Sequence, residues 1–449
     1  MFKEMAQGLT IDNWSVLFEN VWWQEYPQID RENIHVYPTD LKKISPDEIW
    51  KKKPLTLYLH IPFCKHKCKY CFLPRCEGGE QNVKQYLDAL HKEIEMYAGQ
   101  PYIQDHEIFV IHMGGGSPTS LEINELTALV QKIFQSFNIR QDVQFTIEAE
   151  PTTVDREKLS VLVENGVNRI SFGVQSFLEK NLEKIGLAHR FKLNTEVIEM
   201  ARKAGFQAVG IDLMYRFPEQ TLKDFDEDIR IAAQHVRVDS ISMYSLSIIP
   251  GTPMFEENYE QPEEQLEIDM YKRALSTLVK YGYQLYSHQD FGKKGKENFY
   301  IKNIWSHSDL ETIGLGLGGI SYLINGHIYM NQHNLEKYLT SINNNIMPIM
   351  MGKKITTEEM MSRFFVINFL SGKVDKELFK QLYNCPVDEK YGQQIAELKE
   401  TGLITEDDNY LNLTTDGMVY VYNVCKKFYT DNNYKKAQPI GLILEHIAN

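Results

Sequence analysis

Four of the six cysteines fall in one short stretch, YLHIPFCKHKCKYCFLPRC, as Cys64, Cys68, Cys71 and Cys76, while Cys385 and Cys425 stand alone far downstream. A disulfide framework spreads its cysteines along a small secreted chain, whereas a tight group in a large soluble chain points to metal. Cys64, Cys68 and Cys71 have C-x3-C-x2-C spacing. Three thiolates from one short loop can hold three irons of a [4Fe–4S] cluster, and the fourth iron is left open for a small molecule that takes an electron directly. The competing assignment is a closed structural zinc site that recruits His60 or His66. Cys76 has three readings: a fourth ligand, a thiol of a second site, or an inert side chain.

Other residue types repeat the theme of a site at strand ends. Gly114, Gly115 and Gly116 follow the apolar run IFVIHM, and without Cβ atoms their backbone can approach a ligand closely. Glu148 ends the run VQFTIEA as a carboxylate suited to an ammonium group or a ribose, the alternative being a surface acid. Gln175 and Asp212 occupy equivalent strand ends, and Asp212, between Ile211 and Leu213, needs a polar partner if buried; ribose hydroxyls would serve.

These residues need elements to position them. From about residue 55, short β-rich runs (LTLYLHI, EIFVIHMGGG, VQFTIEAEP, RISFGVQSF, AVGIDLMY, SISMYSLSII, QLYSHQDF) alternate with amphipathic stretches whose apolar residues recur every three or four positions. That alternation predicts an α/β fold of βαβ units, repeated six or seven times as a full or partial parallel barrel with its site at the C-terminal strand ends. The domain boundaries read as an N-terminal extension (1–50), a partial barrel (51–291), a barrel-mouth cover or linker (292–355) rich in Asn, Gly and Met, and a winged-helix-like C-terminal domain (356–449). In the extension, Trp14, Phe18 and Trp22 share one helical face, which serves either as a docking surface or as a lid.

The chain has 449 residues with 48 basic and 61 acidic side chains, a formal charge of −13. Such acidity disfavours non-specific nucleic-acid or anionic-membrane binding, so the winged-helix-like tail reads as a packing module. The first residues lack the apolar core of a signal peptide, and no window approaches the roughly 18 apolar residues of a membrane span. The expectation is a cytoplasmic protein that neither binds nucleic acid nor inserts into membranes.

With the cysteine loop and glycine triplet in place, the sequence resembles the radical S-adenosylmethionine enzymes. HIPFC, GGGSPTSL, TIEAEP, RISFGVQSF, GIDLMYRFPEQT and IIPGTP follow, in order, the motifs of their coproporphyrinogen-dehydrogenase-like branch. The resemblance runs from about Leu55 to the C-terminal tail. It implies a [4Fe–4S] cluster on Cys64, Cys68 and Cys71 whose open iron chelates S-adenosylmethionine, and an electron that cleaves the sulfonium to a 5′-deoxyadenosyl radical. It also implies two S-adenosylmethionine molecules, the second a methyl or methylene donor.

The resemblance further implies site roles. Gly115, Gly116 and Ser117 contact the methionine ends, and Tyr58 and Tyr70 the two nucleosides or methionines. Glu148, Gln175 and Asp212 meet amine or ribose, Ile320 packs on adenine, and Ser247 is carried over across a one-residue insertion. Two departures stand out. Leu187 occupies the position of the family's arginine after VQSF, with Arg190 one helical turn away as a substitute. Arg216 stands where glycine is usual and could grip a propionate bidentately.

Downstream, YSHQDFGKKGKENFYIK, IGLGLGGISYLI and MNQHNLEKYL look most like the anaerobic haem-degrading methyltransferases, the anaerobilin synthases. That resemblance implies haem or a related porphyrin as substrate, opened with methyl addition and iron release, and a flavodoxin- or ferredoxin-type electron donor. His288 at the end of the last strand is then the choice for contact with haem iron or a propionate, ahead of His307, His327 and His333. Coproporphyrinogen dehydrogenation and a non-enzymatic haem chaperone are the other two readings.

Overall fold

The first strand, β1 (Leu55–Ile61), sets the pattern for the whole sheet. Leu55, Leu57, Leu59 and Ile61 are fully buried on one side, while Tyr58 and His60 on the other are half-buried. Successive side chains point to opposite faces of a strand, so one face packs under helices and the other lines a lumen.

The computed structural model describes residues 55–72, 76, 79–187, 190–306, 310–323 and 327–430. The N-terminal extension (1–50) with its aromatic cluster, and His307, lie outside the described residues. β1 is followed by β2 (Ile108–Gly115), β3 (Ile139–Ala149), β4 (Arg169–Gln175), β5 (Ala208–Tyr215) and β6 (Ser240–Ser245). These pair in chain order and all parallel. Helices Glu80–Ala98, Ile123–Ser136, Arg156–Glu164, Phe191–Ala204 and Leu222–Arg230 fill the crossovers, giving the expected partial parallel barrel.

Two segments depart from expectation. The seventh β-rich run does not add a parallel strand. It folds as a hairpin of β7 (Gln284–Ser287) and β8 (Asp290–Gly292), and β8 lies antiparallel beside β6. Residues 292–355, expected as a mouth cover or linker, join the same sheet at its other edge. There β9 (Glu311–Leu315) pairs parallel with β1, and β10 (Ile320–Leu323), β11 (His327–Asn331) and β12 (Ile349–Lys354) continue antiparallel. The sheet has 12 strands, with β1 near its middle. Gly316 and Gly318, with φ +87° and +64°, make the tight turn between β9 and β10.

One buried carboxylate ties this extension to the barrel. Glu93, inaccessible on helix Glu80–Ala98, accepts hydrogen bonds from Gly316 N (2.8 Å), Asn331 Nδ2 (2.7 Å) and the Tyr338 hydroxyl (2.5 Å). Burial pushes its carboxyl up to about 7, against an ordinary 4.5, although these bonds pull the other way. The folded state therefore holds the proton more tightly than the unfolded chain. Stability is fully present below pH 4.5 and declines as pH rises through about 7, by about 3 kcal/mol from this group. Urea unfolding at pH 5 and pH 7.5 should show that loss, and Glu93→Gln should flatten it.

Beyond the sheet, helix Thr357–Leu370 leads into a small domain. Its sheet runs in the order β13 (Lys373–Asp375), β15 (Tyr410–Leu413) and β14 (Ile404–Glu406), packed with helices Lys376–Tyr383 and Val387–Glu400. A separate apolar cluster, including Phe364, Phe365, Phe379, Tyr391 and Phe428, holds it together. Among the described residues no helix is long and apolar enough to cross a membrane.

Candidate active site

The cysteine loop leaves β1 and is fastened on both sides. Gly116 N donates to Ile61 O and Ser117 N to Phe63 O, both at 2.8 Å; farther on, Lys69 N donates to Ile185 O at 2.9 Å. Cys64, Cys68 and Cys71 are all half-buried, and none is in a disulfide. Burial pushes the Cys68 thiol up to about 12, and the neighbouring Cys71, Glu150 and Cys64 charges add to the shift. Cys68 therefore becomes a thiolate ligand only in the company of a cation. Cys76 stands apart: its N donates to Pro62 O at 3.2 Å, its side chain packs against the core, and burial alone raises its thiol to about 11. The fourth-ligand reading of Cys76 gains nothing from this placement.

The glycine triplet is a cradle with no room for side chains. A Cβ on Gly114 would lie 2.7 Å from the Glu148 carboxylate, one on Gly115 2.6 Å from the His60 ring, and one on Gly116 2.7 Å from Phe63 O. Gly115 also has φ +109°, which favours glycine. Ser117 is 5% exposed, and its Oγ is buried without a partner. An orphaned hydroxyl beside such a cradle fits a polar ligand that fills the gap.

The lumen face carries the acids. Glu148 accepts from His112 Nε2 (2.8 Å) and Gly115 N (3.2 Å), and its side chain is still 37% exposed. Desolvation acts to raise its pKa, but these donors outweigh it and hold the carboxyl below its ordinary value. Tyr58 OH and His60 Nδ1 are 3.0 Å apart, and burial lowers His60 to about 4, so its imidazole is neutral. Asp212 contacts Ser171 Oγ at 3.3 Å. Burial, with Glu148 and Asp290 nearby, pushes Asp212 up to about 8. Gln175 ends β4 with φ 63°, its amide folded back over Gly173. Such left-handed strain at a strand end marks functional positions. The Gly319–Ile320 backbone occupies the space over Gly314, the register partner of Tyr58, which places Ile320 beside that lumen residue.

The chain matches the Radical SAM superfamily model over residues 58–232 and the HemN C-terminal domain over 355–420. It is 33% identical over 370 residues to the heme chaperone HemW of Bacillus subtilis (strain 168), an alignment that spans 80% of this chain and 95% of that protein. The chain belongs to the radical SAM superfamily, in its HemN-like branch. The anaerobilin synthase of Escherichia coli O157:H7 is 27% identical over 373 residues, 82% of each chain. The solved coproporphyrinogen III oxidase (HemN) of Escherichia coli shares the fold, with TM-score 0.76 at 23% identity over 90% of this chain and 99% of that one. The radical SAM family's [4Fe–4S] cluster and S-adenosylmethionine fit the three-cysteine loop, the cradle and the unpartnered Ser117 hydroxyl, while among the described residues no three ligating side chains are already gathered as around a metal ion.

Several radical SAM assignments made from the sequence are corrected by the geometry. His288 does not reach the lumen. It is 4% exposed, with its Nε2 bonded to the Tyr422 hydroxyl of the C-terminal domain. His288 lies in the turn just after β7, whose last residue Ser287 bonds Asp290; its carbonyl accepts from the Tyr271 hydroxyl. Replacing His288 with Ala should lower unfolding stability by about 1–3 kcal/mol, the cost of leaving a buried hydrogen-bond partner unpaired. Haem affinity should be unchanged, as titration of both proteins would show. Arg216 is no mouth cation either: it is 3% exposed, paired with Glu267 and bonded to Pro262 O.

Arg190 is tied back to its own turn, on Leu187 O at 3.2 Å and near Glu183 at 3.7 Å. Leu187 is buried in an apolar cluster with Leu182, Met214, Phe217, Leu246 and Met254, against which Cys68, Tyr70 and Ile248 pack. Ser247, in the loop after β6, has a buried hydroxyl without a partner. His327 lies on β11 and His333 just after it, in the sheet extension. Sequence reasoning missed His112 and Tyr300, whose rings stack 4.4 Å apart in the lumen, with Tyr58 5.5 Å from Tyr300. Period-two alternation from Gly114 would have put His112 on the inner face.

Proposed function

We propose that the protein is an anaerobic haem-degrading methyltransferase that uses two S-adenosylmethionine molecules to methylate and open the macrocycle, with release of iron and a linear tetrapyrrole. The single observation that carries the reading is the continuity of the open thiol loop with an apolar wall. The wall is made by half-buried Cys68, Tyr70, Tyr244 and Ile248, backed by the buried cluster of Leu187, Met214 and Leu246. A wall of that kind suits one face of a flat, largely apolar disc more than a small charged substrate.

In this reading the three thiolates hold the cluster, which supplies one electron for cleavage of bound S-adenosylmethionine when a flavodoxin- or ferredoxin-type protein reduces it. Glu148 and Asp212 orient the amine and ribose groups, the glycine cradle admits the methionine end, and the buried lumen excludes water. The names of the relatives above (heme chaperone, anaerobilin synthase, coproporphyrinogen III oxidase) agree with a tetrapyrrole ligand. The 33% identity to a heme chaperone favours a second reading, in which haem is delivered intact.

The test is an anaerobic incubation of reconstituted protein with haem, S-adenosylmethionine and a reductant. Ring opening removes the Soret band and accumulates 5′-deoxyadenosine and S-adenosylhomocysteine, with a methylated linear product by mass spectrometry. A persistent Soret band with haem passing to an apo-protein would establish the chaperone reading instead. Carbon dioxide release from coproporphyrinogen would establish the decarboxylase.

A further inference from the structure

His112 sits in the second barrel strand, 3% exposed, between aromatic rings: Tyr300 stacks on it at 4.4 Å and Tyr58 lies stacked at 6.0 Å. Its Nε2 is 2.8 Å from Glu148 Oε1. Its Nδ1 is buried with no hydrogen-bond partner. A residue present only to fill this aromatic stack would be Phe or Leu, because an unpaired buried ring nitrogen is unfavourable. What the imidazole adds is the Nε2–H directed at the carboxylate.

That carboxylate is held on both oxygens. Gly115 N donates to Oε2 at 3.2 Å, His112 to Oε1, and the absence of a Cβ on Gly114 lets the group lie flat against the strand. Each oxygen accepts one bond and retains a further acceptor direction. The side chain is 37% exposed to the lumen although the strand positions on either side, Ile147 and Ala149, are buried.

We propose that His112 is a positioning residue for S-adenosylmethionine: its Nε2–H aims the Glu148 carboxylate at the ligand's ammonium or ribose hydroxyls. The inference rests on the radical SAM reading of the lumen but not on haem as substrate. His112 itself touches no ligand; it acts through Glu148. Without its donor the carboxylate would rotate and, being desolvated, would take up a proton more readily.

Anaerobic calorimetry of S-adenosylmethionine binding to cluster-loaded protein tests this without turnover. His112→Phe, which keeps the stack, is expected to weaken binding 10-fold or more, the scale of one charge-assisted hydrogen bond. It should also move the acid limb of the binding–pH profile to higher pH, because Glu148 then ionises later. His112→Gln, whose amide nitrogen reaches about as far as Nε2, should recover most of the affinity and the original limb. His112→Asn, whose amide falls nearer Nδ1, should not. Wild-type affinity and an unmoved limb in the Phe and Asn proteins would overturn the proposal, as would equal weakening in Gln and Asn. A wild-type protein that binds no S-adenosylmethionine would overturn the site reading as well. Conversely, failure of haem opening alongside intact binding would count only against the substrate assignment.

Discussion

Cys68→Ala is expected to yield a folded protein that retains no iron–sulfur absorbance after anaerobic reconstitution and cleaves no S-adenosylmethionine above background. The reason is the burial of the loop's middle ligand. Burial raises the Cys68 thiol, with the Cys71, Glu150 and Cys64 charges adding to it, so it serves as a thiolate only beside a bound cation. Changes in the outer shell of metal sites already cost roughly 10–100-fold. Loss of one of three ligands should cost on the order of a thousandfold or more in reductive cleavage. Cys76→Ala is the control. Its thiol is raised by burial alone, so cluster content and cleavage should stay within about twofold of wild type, the scatter expected of a substitution outside the site. Iron and sulfide determination beside a 5′-deoxyadenosine assay checks both.

Gly116→Ala should be nearly as damaging, for a steric reason. The new methyl would meet Phe63 O at 2.7 Å and Ile61 O at 2.9 Å, with Cys64 Sγ at 3.0 Å. Those two carbonyls accept the bonds that fasten the loop, from Ser117 N and Gly116 N. Backbone cannot move aside without breaking one of them. A loss of about 1–3 kcal/mol of stability is expected from overpacking, along with poor cluster retention because the displaced loop carries the first ligand. Gly392→Ala makes the contrast: nothing lies within 4 Å of its would-be Cβ on helix Val387–Glu400. Because Gly392 follows the kink at Tyr391 and opens the second helical stretch of that element, the change should move stability by no more than about 0.5 kcal/mol. Thermal melts of the two variants, read beside cluster absorbance, separate local from general effects.

Much of the site is legible in the linear text because its chemistry is local. The three cysteines occupy one loop, the glycines close one strand, and Glu148, Gln175 and Asp212 each sit where an alternating run ends. The barrel is legible because strand and helix periods differ. What escaped depends on long-range pairing. Gln284–Ser287 has the composition of a parallel strand, but only its partner β8 decides its direction. His288 is held away from the lumen because it sits in the turn after β7, where Tyr422 and Tyr271, 134 and 17 residues away, take it up. Arg216 looked like a mouth cation because sequence does not reveal Glu267, its partner 51 residues later. Glu311–Leu315 looked like loop because its neighbour in the sheet, β1, is more than half the chain away.

That last pairing bears on how the protein is made. β1 gains its second neighbour only when β9 has emerged, some 250 residues after β1 itself. At ribosomal rates of about 5–20 residues per second, the interval is on the order of tens of seconds. Throughout it the strand that launches the metal-binding loop presents a bare edge able to pair with any extended chain nearby. Loading of iron and sulfide before β9 docks would tether the loop to residues already folded.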